Sequence, residues 1–135
     1  GKEQPHLIPI GERAEAIRRA FEERQINSQQ ALQELSALVR DLQDAQEQRR
    51  ESKLSPEAFA VAWWLRVQKG LRSEAAQAIA TVVEPAFQQF PHWVVSSRQE
   101  GELRKRLYRV LIDHGIHDVV AWTDEMLTLL RRARP

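Results

Sequence analysis

Hydrophobic positions along the 135-residue chain recur mostly at helical spacing. Ala14, Ile17 and Phe21 share one face at i, i+3 and i+7 and predict a helix starting near Glu12. Gln25 to Ser28 interrupts it, and Asn27 or Ser28 supplies an N-cap for the next helix. There Leu32, Leu35, Val39 and Leu42 alternate spacings of three and four, with Leu38 beside the stripe. Glu34, Arg40, Asp41, Asp44 and Glu47 carry the flanks. The stripe fades at Gln46 and Arg49, so the pattern predicts a long amphipathic helix on the outside of a bundle rather than a sustained coiled coil. Two prolines within residues 1–10 predict an extended lead-in, leaving 11–135 as one helical domain.

An uninterrupted apolar run, Ala58 to Leu65, breaks this amphipathic pattern. Ser55 as N-cap, Pro56 at the first helical position and Glu57 in the first turn open a helix, and Gly70 stops it. About four turns is too long for a typical strand. Phe59, Trp63 and Val67 lie on one side, Val61 and Leu65 on another, and Trp64 widens the apolar surface. A helix apolar nearly all round is buried on several sides, so residues 56–69 are expected to form the central helix. The aromatic pair then belongs to the core, with a ligand or partner pocket as the alternative. A fourth helix runs from a Ser73 cap through Ile79, Val82 and Val83, and Pro85 is expected to kink or end it. Phe87, Phe90 and Trp93 then fall in an irregular stretch. Ser97 with Glu100 reads as a capping box for a fifth helix, with Leu103, Leu107, Val110 and Leu111 inward. A sixth helix from about Asp118 to Arg132 uses Val119, Trp122, Met126, Leu127 and Leu130. The expected fold is an all-α single-domain bundle of about six helices, its core including Phe59, Trp63, Trp64, Leu65, Leu107, Leu111 and Trp122.

With only 5 glycines and 6 prolines, the chain lacks the turn chemistry of a β-sandwich or barrel. A net charge of +1 provides no global field toward nucleic acid or membrane, so any basic surface is local. No apolar run approaches a bilayer span, and no membrane contact is expected. Absence of cysteine excludes disulfides and thiolate sites and suits the reducing cytoplasm. Met126 is the only methionine, so Gly1 reads as a cleavage scar or the edge of a longer protein; removal of an initiator Met before Gly is the other route.

The glycines are never clustered, so no P-loop or dinucleotide fingerprint exists. No catalytic triad can be assigned by spacing, and no cofactor site is expected in this chain. The sequence Asp113-His114-Gly115-Ile116-His117-Asp118 has metal-ligand residue types. Gly115 breaks the helix between the two histidines, and Asp118 is a natural N-cap, so the bland reading is a helix junction. The other candidate is basic: Arg98, Arg104, Lys105, Arg106 and Arg109 outnumber Glu100 and Glu102, and Arg131, Arg132 and Arg134 follow on the sixth helix. Such a surface suits duplex DNA phosphates, although its positive charge is spread around the helix; snorkelling arginines around a leucine stripe are the alternative.

Three segments, in order, carry a resemblance. IPIGERAEAIRRAFEERQINSQQALQEL (8–35) looks like an opening helical pair, LSPEAFAVAWWL (54–65) is similar to a Leu-Thr/Ser-x-Glu-Glu-x-Ala-aromatic element, and FPHWVVSSRQEGELRKRLYRVLIDHGI (90–116) is similar to a Trp followed by a basic Arg-x-x-Leu helix and a terminal loop. Together they resemble the C-terminal helical region of the restriction (motor) subunit of type I restriction-modification enzymes. Family members often carry Asp before the Trp and a second Glu in the central element, where this chain has His92 and Ala58. The resemblance implies a parent that is an ATP-dependent DNA translocase and site-specific deoxyribonuclease, with ATP and Mg bound only in upstream domains. It implies a non-catalytic role for this region, docking the motor onto the methyltransferase and specificity subunits. No catalytic residue carries over; the contact surface is expected at an apolar edge near Trp93 and on the fifth and sixth helices.

Overall fold

The computed structural model describes residues 4–133. Six α-helices and a short 3-10 turn, Pro5–Leu7, make up the regular structure, with no strand among the described residues. The all-α class expected from periodicity is therefore correct. Contacts cluster in two compact units, one of residues 6–52 and one of residues 53–133 together with residues 4–5.

In the first unit, α1 (Ile8–Glu22) and α2 (Ser28–Glu51) form a helical hairpin. The lead-in expected to be extended is helical from Pro5, because Pro9 fits the first turn of α1, where its missing N–H costs nothing. Asn27 caps α2 through a full capping box: its side chain accepts from the Gln30 N–H at 2.8 Å, and Gln30 accepts from the Asn27 N–H at 2.9 Å. Arg13 bridges the two helices to Asp41 at 3.0 Å. The α1 terminus closes in a Schellman pattern, with Gln25 N–H donating to Ala20 O and Arg24 N–H to Phe21 O. That geometry places Arg24 at φ +60°, a conformation usually left to glycine. Replacing Arg24 by Gly removes the side-chain clash, and we expect stabilisation of about 1 kcal/mol, read as a raised urea midpoint with unchanged slope.

The second unit is a four-helix ring. α3 (Pro56–Val67) packs on α4 (Ser73–Gln89), α4 on α5 (Ser97–Asp113), α5 on α6 (Val119–Arg132), and α6 returns to α3. Ser55 caps α3 as expected, and Glu84 of α4 adds a carboxylate that accepts the Ser55 N–H at 2.5 Å. Gly70, at φ +72°, ends the segment. Ala58, Phe59, Ala60, Val61, Trp63, Trp64 and Leu65 are all buried. Trp63 stacks on Phe59, and Trp64 meets Trp122 edge-on at 6.0 Å. The run is thus core, as its helix-all-round polarity predicts. Trp122 is only half-buried, although Leu107 and Leu111 are fully enclosed.

Three local expectations are corrected. Pro85 does not stop α4, which continues through Gln89 and buries Ala86 and Phe87, so packing outweighs the lost backbone bond. The residue before α4 is Arg72, and no side chain caps that helix. α5 is capped one residue earlier than expected: Ser96 accepts from Gln99 N–H, and Gln99 accepts from His92 N–H at 2.7 Å. Glu100 is thereby freed for arginine contacts described below.

Candidate functional site

Trp93 was expected at an exposed edge, but it is 0% exposed. The Arg131 guanidinium lies over its ring at 5.0 Å and donates to Val94 O at 2.9 Å. The indole N–H has no acceptor among the described residues. Trp93 is thus a core residue that pins the α4–α5 connection, and the interface expected there is not formed by this side chain. Sequence alone could not separate the two, because a Trp between Pro91 and a capping serine has no periodicity to reveal its direction.

Arg104, another expected contact, is also committed elsewhere. Its side chain is part-buried and pairs with Asp124 at 2.5 Å and Glu100 at 3.4 Å. Burial lowers its pKa, but hydrogen bonds to Asp124 and Tyr108 and the charges of Asp124 and Glu100 outweigh this and raise it. Arg131 shares Glu100 from the other side. These four side chains tie α5 to α6 and leave no guanidinium there for a partner. Arg106 turns toward α4, donating to Gln89 at 3.0 Å and lying over Phe90. Arg98, Lys105 and Arg109 remain exposed. Arg132 is exposed at the end of α6, and Arg134 lies outside the described residues.

The Asp113–Asp118 stretch does not gather into a centre. His114 and His117 are exposed on a turn around Gly115 at φ +77°, and the His114 ring is held by Val110 O at 3.0 Å. Among the described residues no group of three or more His, Cys, Asp or Glu side chains is placed to hold a metal ion. Asp118 precedes α6 but makes no side-chain cap bond. No helix among the described residues is long and apolar enough to cross a membrane.

In the hairpin, most of the α2 stripe predicted by spacing is exposed. Of the α2 residues, Leu38, Ala31 and Ala45 are buried, so the inward face lies to one side of the predicted one. Leu32, Leu35 and Val39 are 65%, 39% and 52% exposed. Phe21 on α1 is 45% exposed and, with Arg24 and Ile26, lines an open cleft of about 550 Å³ at the hairpin turn. Lateral displacement of the stripe was hidden because Leu38 and Leu42 satisfy the same spacing from either side. The chain matches no protein-family model, no curated protein and no solved structure.

Proposed function

We propose that this chain is a non-catalytic docking module: the C-terminal helical region of a type I restriction motor subunit, seated on the methyltransferase–specificity core of a cytoplasmic complex. The observation that carries the docking role is the row Leu32, Leu35 and Val39 on α2, open to solvent. Aliphatic side chains at i, i+3 and i+7 make a ridge that fits a groove between partner helices, which is the helix-in-groove mode of recognition. A contiguous exposed apolar row on a hairpin with so few buried side chains is costly without a partner. The ordered resemblance over 8–35, 54–65 and 90–116 names the partner. In this reading translocation and cleavage, with ATP and Mg, belong to upstream domains of the parent.

The test is a titration of fluorescent chain against the methyltransferase–specificity complex encoded with the parent, at low and moderate salt. Saturable binding that changes less than threefold between the two salts is expected, since the contact is apolar. Absence of saturable binding at either salt contradicts the reading.

A further inference from the structure

The arginines of α5 are sorted by their partners, and what remains is a single outer row. At 100° per residue, Arg98, Lys105 and Arg109 lie within about 40° of one another around the helix. All three are exposed. Arg98 and Arg109 make no ion pair among the described residues. Lys105 touches Glu102 at 3.3 Å, but this is a solvent-facing i, i+3 contact of little strength. Asp113 is the other acid on that side, at the end of the helix. The even spread of charge read from sequence is thus divided: Arg104 and Arg131 are neutralised, Arg106 faces α4, and the remaining cations share a face.

Gly101 supplies an independent observation. It sits within α5, where glycine weakens a helix relative to alanine. No packing explains it, since a Cβ built there meets nothing within 4 Å. Along the helix axis it lies between Arg98 and Lys105, and around the helix it borders their row, about 40° from Lys105. A bare backbone at that edge leaves open space in which a bulky anionic chain can lie against the helix beside the row. The row from Arg98 to Arg109 is about 16 Å long, enough to reach phosphates on both sides of a major groove about 12 Å wide.

We propose that this face of α5 binds the phosphate backbone of duplex DNA, without reading sequence, separately from the docking ridge of α2. Three phosphate contacts give weak binding with a slope of log K against log salt near −2.7.

The experiment is fluorescence anisotropy of the full chain with a labelled duplex, over a salt series starting near 20 mM. Three variants accompany it. Arg98, Lys105 and Arg109 together to Ala should weaken binding more than tenfold and flatten the salt slope to near zero. Gly101→Glu, which places a carboxylate at the edge of the row where there is open space, should weaken binding more than tenfold while the helical circular-dichroism signal is retained. Arg19, Arg40 and Arg50 together to Ala, with the same change in net charge on the hairpin, should change binding less than threefold. Polyglutamate should compete poorly, because it lacks the regular phosphate spacing of a duplex. The proposal is overturned if the parent chain does not bind at the lowest salt, if the hairpin control loses as much as the α5 variant, or if polyglutamate competes as well as unlabelled duplex. None of these readouts involves the methyltransferase–specificity complex, so failure of one surface leaves the other standing.

Discussion

Trp93→Ala should destabilise the chain by about 3 to 5 kcal/mol, the cost of deleting a fully enclosed aromatic side chain. The ring is sealed by packing and covered by the Arg131 guanidinium at 5.0 Å. Trp93→Phe should cost far less, about 1 kcal/mol, because most of the ring volume stays and the indole N–H, which has no acceptor among the described residues, is removed. Urea denaturation followed by far-ultraviolet circular dichroism measures both. If Trp93→Ala costs less than about 1 kcal/mol, the side chain is not the anchor described here.

His6 gives the second large effect, one that depends on pH. Burial, followed by the positive charge of Arg49, lowers its pKa from the usual 6.5 to about 4. In the unfolded chain it titrates near 6.5, so between pH 6.5 and 4 the unfolded state binds more protons. Stability present above pH 6.5 is therefore lost as pH falls through this window, by roughly 2 to 3 kcal/mol from this residue. Carboxylates also titrate near the lower end, so the measure is a difference. The loss in unfolding free energy from pH 7 to pH 4.5 should shrink by more than 1 kcal/mol in His6→Leu and in His6→Gln. An equal loss in the parent chain and both variants contradicts the assignment.

Helix number, type and order were legible because each helix declares itself by spacing and punctuation. Ser55-Pro56-Glu57, Asn27 with Gln30, and Gly70 are local signals, and they act locally in the structure. Direction was less legible. A stripe one residue wide on α2 is compatible with two neighbouring faces, and only the α1 partner fixes which of them is inward. Phe87 was hidden by Pro85, which suggested a helix end where packing carries α4 onward to Gln89, whereas Trp93 lies in the turn expected after Pro91. The basic helix was legible in composition but not in sorting. Arg104, Arg106 and Arg109 differ in sequence by almost nothing, yet their partners Asp124, Gln89 and bulk solvent lie on different elements.

The docking role turns on whether the α2 ridge is the contact. Exchanging Leu32, Leu35 and Val39 together for serine removes the ridge from positions already exposed, so the urea midpoint should move little. Binding of this triple variant to the methyltransferase–specificity complex, measured beside the parent chain, is the decisive comparison. A loss of at least a hundredfold in affinity with folding retained is the predicted result. Affinity within threefold of the parent chain would contradict the account.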